Sequence, residues 1–212
     1  MITIQAFQFN YFQENTFVLH DDTKEAVIID CGCCRKEEEK LLSDYITENK
    51  LTVKHLLCTH LHLDHIFGNP FAYQTYGLKP EAHKADVEHL PSPKEQAKLF
   101  GVPGKMVNIP VEKYLVGNEV VKFGHSELLV LTVPGHSPGS IAFYNKKNGF
   151  VIVGDALFAG SIGRTDLWGG NQEVLIAAIN DKLLSLPDET VVYPGHGPET
   201  TIIDEKLNYP YL

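Results

Sequence analysis

The feature that most constrains this chain is a histidine-rich segment, Thr59-His60-Leu61-His62-Leu63-Asp64-His65. It follows an apolar run, Val53 to Cys58, that predicts a buried strand. If the chain leaves this strand extended, successive side chains alternate sides, so His60 and His62 point the same way while the two leucines face the core. Asp is a favoured helix N-cap, and a helix turn at Asp64 would bring its carboxylate and the next histidine to the same point. The segment therefore predicts a metal site, the alternative being a polar loop of solvated histidines.

Composition limits the classes of protein to consider. The chain has 212 residues, of which 43% are hydrophobic and 21% charged, values typical of a globular protein that forms one domain, residues 1–212. No apolar run approaches the roughly 20 residues of a membrane span, and Met1 to Gln5 lacks the basic and apolar regions of a secretory signal. A formal charge of −9 argues against nucleic-acid binding, which depends on clustered cations. We expect a cytoplasmic protein that binds neither membranes nor nucleic acid.

Cysteine usage is consistent with a reducing compartment. Cys31, Cys33 and Cys34 form a Cys-x-Cys-Cys cluster and Cys58 lies apart, a spacing unlike that of a zinc ribbon. Cysteines in a turn after a strand usually behave as compact hydrophobic residues, which is the interpretation we favour. A redox or metal-binding role for the cluster is the alternative.

Hydrophobic periodicity predicts alternating strands and helices along the chain. A polar, proline-containing stretch from Ala82 to Gly104, with one short helix, is interpreted as a lid or insert. Two blocks of strands with helices between them imply layered sheets with helices outside, an α/β arrangement in which strand-end loops supply the site. In chain order we predict strands Ile2 to Ile4, Thr16 to Leu19 and Ala26 to Asp30, helix Glu38 to Asn49, strand Val53 to Cys58, helix Phe67 to Tyr76, strands Glu119 to Phe123, Leu128 to Val133, Ile141 to Tyr144 and Phe150 to Val153, helix Gln172 to Leu186, and strand Thr190 to Tyr193.

Three further polar residues follow predicted strands within loops rich in glycine and proline. They are His136 in Pro134-Gly135-His136-Ser137-Pro138-Gly139, Asp155 after Val153-Gly154, and His196 in Pro194-Gly195-His196-Gly197-Pro198. Glycine and proline let the backbone bend sharply and hold a side chain at a rim. Taken singly, each would be an ordinary loop residue. Together with the first segment they supply five imidazoles and two carboxylates, about what two metal ions sharing a bridging ligand require.

These motifs, in this order, resemble the metal motifs of the metallo-β-lactamase fold superfamily over nearly the whole chain. The resemblance implies a four-layer αββα sandwich with the metal site at the edge where the strands end. Within the superfamily, the segments Phe158 to Asp166 and Pro194 to Leu212 are similar to the short bacterial relatives of hydroxyacylglutathione hydrolase, or glyoxalase II.

Carried over residue by residue, the resemblance implies two metal sites. Asp30 matches an aspartate that supports the metal loop, although a purely structural aspartate at a strand end is an equal alternative. Zinc is the first choice of metal, and iron and manganese accept the same donors. The implied ligands are His60, His62 and His136 for the first ion and Asp64, His65 and His196 for the second, with Asp155 bridging the two.

The sequence also departs from the glyoxalase II pattern. Full-length members carry a helical C-terminal domain with cationic residues for glutathione, whereas this chain ends sixteen residues after His196, so we expect those contacts to be absent. Arg164 stands where many members place a basic residue beside the tripeptide and is the implied substrate-binding residue. The tyrosine that commonly follows two residues later is Asp166 here.

The implied metals define a hydrolase. Divalent ions lower the pKa of bound water from about 15.7 to roughly 7 and polarise a carbonyl, so the resemblance implies a metal-bridging hydroxide with Asp64 and Asp155 as catalytic residues. A thiolate, from a thiol of pKa ~8.5, departs without a protonating acid, whereas an amine needs one. The motif loops hold no further acid, and the remaining histidines lie outside them, so we expect a small-molecule thioester substrate of the S-acylglutathione type. These remaining residues, expected at the surface or at strand ends, are His20, His55, His83, His89 and His125.

Two other functions are compatible with the sequence. Persulfide dioxygenase, a relative in the same superfamily, holds one iron with two histidines and an aspartate, ligand types that suit oxygen activation, and it also matches Gly163-Arg164-Thr165-Asp166. A non-catalytic protein with a structural metal is the second alternative, although structural zinc sites are usually closed and rich in thiolates. The sequence does not predict an oligomeric state.

Overall fold

The first half of the chain forms one mixed six-stranded sheet. A computed structural model describes residues 1–104 and 106–208, so the last four residues of the Pro194 to Leu212 segment lie outside it. The first three strands pair antiparallel and the last three extend the sheet in parallel. In order across the sheet, these strands are β1 (Thr3–Phe9), β2 (Glu14–His20), β3 (Glu25–Ile29), β4 (Thr52–Leu57), β5 (Pro80–Ala82) and β6 (Lys113–Tyr114).

The second half forms another six-stranded sheet, in the order β14-β13-β10-β9-β8-β7. All neighbours pair antiparallel except β10 and β13, which are parallel. Two very short strands, β11 (Leu157–Phe158) and β12 (Ser161–Ile162), pair in a separate hairpin. The strands of the main sheet are β7 (Val120–Phe123), β8 (Ser126–Thr132), β9 (Ile141–Asn145), β10 (Phe150–Gly154), β13 (Val191–Pro194) and β14 (Thr200–Thr201).

Helices connect the strands and lie against the outer faces of the sheets. The described helices are α1 (Lys36–Glu48), α2 (Leu63–Ile66), α3 (Asn69–Tyr76), α4 (Lys84–His89), α5 (Pro93–Leu99), α6 (Gln172–Ala178), which continues as a π-helical turn over Ile179–Leu183, and α7 (Ile202–Asn208). None of these described helices has both the length and the apolar character needed to span a membrane.

Side chains along each strand alternate between the two faces of its sheet, and this alternation produces the layers. In β2, Phe17 and Leu19 point between the two sheets, where they share a core with Phe143 of the second sheet, while Val18 faces outward towards α1. The outward face packs against Leu42 of α1. Each sheet is therefore buried on both faces, one against the other sheet and one against helices.

The second sheet repeats this arrangement on its far side. Val151 and Val192 face outward and pack with Leu175 of α6 and Leu183 of the π-helical turn. Helix, sheet, sheet and helix thus form four layers, and the predicted αββα sandwich is confirmed.

The helices after β4 differ from the prediction. The expected helix from Phe67 to Tyr76 is wrong at its start, because α2 precedes it and α3 begins only at Asn69, after Gly68. Pro70 has no N–H to donate, so it suits the first turn of a new helix and cannot continue α2.

The cap of α2 is also not the expected residue. Asp64 was expected at the N-cap, but His62 holds that position with an extended backbone, and Asp64 lies in the first turn. The carboxylate is therefore presented by the helix itself rather than used to cap it.

Other differences lie at element ends. The Ala82 to Gly104 insert contains two helices, α4 and α5, instead of one; α5 begins with a capping box in which Ser92 and Glu95 bond each other's backbone N–H. The predicted helix from Gln172 to Leu186 is α-helical only to Ala178. The strands β5, β6 and β14 were not predicted, because two or three residues are too few to show alternation.

Candidate metal centre

Four segments, which follow β4, β8, β10 and β13, supply the predicted metal ligands, and all leave the same edge of the sandwich. Strand β4 runs parallel to β3, and β13 runs parallel to β10, so their carboxyl ends lie together. The two sheets are joined at this edge by hydrogen bonds from Ile141 N to Thr59 O (2.9 Å) and from Asn15 N to Gly195 O (2.7 Å). The structure brings together all seven predicted ligands, namely His60, His62, Asp64, His65, His136, Asp155 and His196.

The first group consists of three imidazoles. One ring nitrogen from each of His60, His62 and His136 lies within 4.8 Å of the others. His136 Nε2 is 2.8 Å from His62 Nδ1 and 3.2 Å from His60 Nε2. All three side chains are buried. Their nitrogens converge on one point, as the alternation after β4 predicts for the first two.

The second group contains a carboxylate and two imidazoles. Ligand atoms of Asp64, His65 and His196 also lie within 4.8 Å of one another, with His196 Nε2 3.1 Å from Asp64 Oδ2. Asp155 lies between the two groups. Its Oδ1 is 3.3 Å from His65 Nε2, and its Oδ2 is 3.5 Å from His196 Nε2 and 3.7 Å from His136 Nε2.

Hydrogen bonds outside the site fix the tautomers of the inward-facing rings. His136 Nδ1 donates to the Arg164 carbonyl (2.8 Å), and His196 Nδ1 donates to the Phe12 carbonyl (3.0 Å). A carbonyl oxygen can only accept, so each ring carries its proton on Nδ1. In the neutral rings, both Nε2 atoms therefore point a lone pair into the site.

Asp30 fixes a third ring and, through Thr59, a fourth. His65 Nδ1 donates to Asp30 Oδ2 (3.0 Å), and the Thr59 hydroxyl donates to the same oxygen (2.6 Å). With its proton used, the Thr59 oxygen accepts from His60 Nδ1 (3.0 Å). Asp30 also lies near His60 and His65 in a third group of ligand types, but its oxygens are occupied by these donors. The supporting role expected for Asp30 is thus consistent with its contacts.

Burial and neighbouring charges have opposite effects on the pKa values of the imidazoles and carboxylates in the site. Burial lowers the pKa of His60 well below its usual range and that of His62 to about 3. Burial also opposes the charged form of His65, but the carboxylates of Asp155 and Asp64 outweigh it and raise the pKa of His65. The pKa of Asp155 is lowered well below its usual value because His65 outweighs the cost of burial. Burial therefore favours the neutral, metal-binding form of His60 and His62, whereas His65 would release a proton to the solvent when it binds a cation beside the two carboxylates.

The donor set fits divalent cations on chemical grounds. Lone pairs of His60 and His136 face each other at 3.2 Å, an arrangement that is repulsive unless a cation or a proton lies between them. His65 Nε2 and Asp155 Oδ1 are buried and face each other at 3.3 Å without an aligned hydrogen bond, and neither has another partner among residues 1–104 and 106–208. Buried polar atoms are normally satisfied, so these atoms are oriented towards a ligand of the site.

The sequence matches a known family over most of its length. The family model described as Metallo-beta-lactamase superfamily covers residues 10–196. The chain belongs to the metallo-β-lactamase superfamily. Proteins of this superfamily bind divalent metals, and the chain is a metallo-hydrolase of this superfamily.

Relatives within the superfamily carry different names. Hydroxyacylglutathione hydrolase GloC of Haemophilus influenzae is 38% identical, with 100% of this chain and 98% of GloC aligned. The crystal structure of BLEG-1, a B3 metallo-beta-lactamase, is 35% identical with a TM-score of 0.88, and 99% of each chain is covered. TTHA1623 in a di-iron-bound form is 35% identical with a TM-score of 0.85, covering 98% of this chain and 100% of that one.

Asp86 supports the loops that carry the proposed ligands, and the sequence analysis did not identify it. It is buried in α4, and its carboxylate accepts from Leu61 N (2.9 Å), Ser137 Oγ (2.9 Å) and Gly139 N (2.6 Å). It therefore joins the β4 loop to the loop that carries His136. The contacts span 25 to 53 residues, so no local pattern could have indicated them.

Glu14 is a second buried acid near the site that the sequence did not single out. Burial raises its pKa well above the usual value, and Oε2 accepts from Thr16 Oγ1 (2.9 Å). A Cβ on Gly32 would meet this carboxyl group, so glycine is required there. Glu14 is thus a neutral packing partner rather than an additional anion.

Arg164 borders the centre but its guanidinium is already paired. Nε and Nη2 each donate to the Asp166 carboxylate at 2.7 Å, and the Arg164 side chain is 56% exposed. Its carbonyl supports His136, a role that the sequence did not indicate. The expected cation for a substrate is present at the pocket, but as half of an ion pair.

The cysteines lie outside the candidate metal groups of the described chain. Cys31, Cys33 and Cys58 are buried free thiols and Cys34 is exposed, in keeping with a compact hydrophobic role for the first three. Of the other histidines, His55 differs from the expectation, since it lies within β4 and contacts Glu81 (2.5 Å).

Proposed function

We propose that this metallo-hydrolase is a thioester hydrolase of the glyoxalase II type that acts on S-acylglutathione-like substrates. The observation that carries the proposal is the pair of three-ligand groups with the Asp155 carboxylate between them. Five imidazoles and two carboxylates suit two ions better than the single iron of a dioxygenase. The identity to GloC over the full chain supports the substrate class.

Each side chain has a proposed part in holding the metals. His60, His62 and His136 would hold the first ion; Asp64, His65 and His196 would hold the second; Asp155 would contact both. Zinc remains our first choice, and the di-iron form of TTHA1623 supports iron as the alternative. When bound, the two ions would supply Lewis acidity, which lowers the pKa of water and polarises the substrate carbonyl.

The pocket above the metal groups supports a thioester rather than an amide. Apart from the proposed ligands, the only titratable side chain among its described lining residues is that of Arg164, which cannot serve as an acid because it stays protonated. A departing thiolate needs no proton, whereas an amine does. The lining residues are Phe12, His62, Leu63, Asp64, Phe100, His136, Asp155, Arg164, Leu167 and His196.

Lactam hydrolysis is the second candidate, because BLEG-1 is a B3 metallo-beta-lactamase with 35% identity to this chain. The two candidates differ in leaving group, so the same preparation can be tested on both substrates. A metal-assisted hydrolase without a proton donor should favour the thioester.

The deciding experiment combines metal analysis with parallel assays. Elemental analysis of the purified protein should find two divalent ions per chain, and S-D-lactoylglutathione should be hydrolysed with a kcat/KM at least 100-fold above that for a chromogenic β-lactam. Oxygen uptake on glutathione persulfide should be absent. One iron per chain together with oxygen uptake would refute the proposal, and preferential lactam turnover would select the second candidate.

A further inference from the structure

Four aromatic side chains form a cluster beside the metal pocket, and two of them, Phe12 and Phe100, line it. We call Phe12, Phe67, Phe100 and Trp168 the aromatic rim. Phe100 packs edge-on against Phe12 (ring centroids 6.3 Å apart) and against Trp168 (6.0 Å), and Phe67 stacks behind Phe12 (6.4 Å). Trp168 also lies 6.2 Å from the His62 ring. The rim thus runs continuously from the outer surface to a proposed metal ligand.

Two rings of the rim are exposed and the other two, Phe67 and Trp168, are half-buried. Phe12 is 41% exposed and Phe100 36% exposed, and both line the pocket. Water-exposed aromatic surface is unfavourable, and a contiguous patch of it beside a polar site usually marks a binding surface. The four rings come from distant parts of the chain, so the fold assembles them rather than local sequence.

Phe100 is held in place by the metal loop itself. It follows the last residue of α5, and Gln96 of the same helix donates from Nε2 to the carbonyls of Leu61 (3.0 Å) and Pro91 (3.0 Å). Leu61 lies between two proposed ligands. The position of the Phe100 ring is therefore fixed relative to the metal centre.

Charge at the pocket does not favour an anionic substrate group. Arg164 is the only Lys or Arg among the described lining residues, and the Asp166 carboxylate already balances its charge by accepting from Nε and Nη2 at 2.7 Å. Releasing the guanidinium would cost a bidentate ion pair. An uncharged substrate group can bind without breaking the ion pair between Arg164 and Asp166.

We propose that the aromatic rim binds an uncharged, apolar and preferably aromatic group on the acyl side of the thioester, next to the scissile carbonyl. The pocket has a volume of about 200 Å³ and is lined both by Phe12 and Phe100 and by five of the proposed metal ligands, so a group held by the rim lies beside the metal centre. This inference rests on the proposed function for the reaction, but the binding preference of the rim can be tested separately.

Kinetics with matched glutathione thioesters test the preference. We expect wild-type kcat/KM for S-phenylacetylglutathione to exceed that for S-acetylglutathione roughly 10- to 100-fold, since the phenyl group is removed from water against aromatic faces. Phe100→Ala should reduce this ratio at least fivefold, and Phe100→Leu, which stays apolar, should retain part of it. Leu99→Ala is the control, because Leu99 is the exposed neighbour and does not line the pocket.

Binding gives a readout that does not require turnover. The chain has one tryptophan, so Trp168 fluorescence can report occupation of the rim in the protein with its metals. Phenylacetate and acetate are the acids released from the two thioesters. Phenylacetate should bind at least tenfold more tightly and change Trp168 emission, and Phe100→Ala should reduce that advantage.

The outcomes separate the two proposals. If neither thioester is hydrolysed but phenylacetate binds preferentially in a Phe100-dependent manner, the proposed reaction fails and the rim inference stands. If both thioesters are hydrolysed with similar kcat/KM and phenylacetate binds no better than acetate, the rim inference is wrong and the proposed reaction stands.

Discussion

Replacing Asp30 with Asn tests one hydrogen bond on which the proposed second metal site depends. Asp30 has a left-handed backbone (φ 54°), which Asn tolerates, and Asn has nearly the same shape. The change should therefore leave the backbone intact. It replaces one carboxylate oxygen with an NH₂ group.

The structure shows which donor loses its acceptor. If the amide oxygen keeps the bond from Thr59 N (2.7 Å), the NH₂ group replaces Oδ2 and faces both His65 Nδ1–H at 3.0 Å and the Thr59 hydroxyl at 2.6 Å. The hydroxyl can rotate its proton away and accept from the NH₂ group, whereas the His65 ring cannot rotate its N–H. Two donors then oppose each other, and His65 relieves the conflict by moving its proton to Nε2. Nε2 is the atom that faces Asp155 (3.3 Å), and once protonated it cannot bind a metal.

The expected loss is larger for the second ion, because its ligand His65 bonds Asp30 directly, whereas His60 of the first ion is affected only through the Thr59 hydroxyl. Outer hydrogen-bond partners of metal-binding histidines typically contribute 10- to 100-fold in affinity, or roughly 1.4–2.7 kcal/mol. Chelator competition followed by elemental analysis should show that the second ion is weakened more than the first. We expect kcat to fall with the occupancy of the weak site.

Asp21→Asn is the matched control. Asp21 is also buried and accepts from Thr23, His125 and Ser126, but it lies at the far end of the sandwich, in the turn after β2. It should lose stability without losing metal. If Asp30→Asn retains two ions with wild-type affinity, the tautomer argument is refuted; equal metal loss in both variants would point to a general loss of stability instead.

Four further changes have defined outcomes. Asp155→Ala should lower kcat by more than the roughly 100-fold typical of outer partners, because the group shared by both ions is lost. Gly195→Ala should weaken metal binding in the chelator assay, since its Cβ would lie 2.3 Å from Asp155 Oδ1 and 2.6 Å from His65 Cε1. Asp86→Asn should lower the free energy of unfolding in urea by about 1–3 kcal/mol, because one of three buried donors loses its acceptor. Burial opposes ionisation of Asp21, but hydroxyl and backbone donors lower its pKa from 3.8 to about 2. The ionised carboxylate therefore contributes ~2 kcal/mol of stability, which is present above pH ~4 and is lost as pH falls through 2. In pH-dependent unfolding, the stability difference between wild type and Asp21→Asn should narrow over that range.

The residues of the metal groups were predictable because each carries a local signal. His60 and His62 share a side through strand alternation, and His136, Asp155 and His196 each follow an apolar run in a glycine-containing loop. A single polar residue at the end of a strand does not by itself indicate a metal site. What the sequence alone could not supply is the pairing of the two sheets that brings these four segments to one edge, which came from the family resemblance.

The errors arose where backbone geometry overrode side-chain preference. Asp64 was expected to cap α2 because of its residue type, yet the extended backbone at His62 starts the helix earlier. The substrate-binding role of Arg164 stays a prediction, and the sequence did not indicate that its guanidinium pairs with Asp166, only two residues away. An ion pair between neighbouring residues thus competes with a substrate-binding role that is assigned from a family resemblance.

The insert from Ala82 to Gly104 links stability and specificity in one segment. Its first helix supplies Asp86, which fastens the two metal loops from inside, and its second helix supplies Phe100, which faces the pocket from outside. Gln96 couples the second helix to Leu61 of the β4 loop. A change in the length of this insert would therefore alter substrate preference and the support of the metal ligands together. Point substitution at Phe100 avoids that coupling, because its ring makes the rim contacts while Asp86 and Gln96 keep theirs.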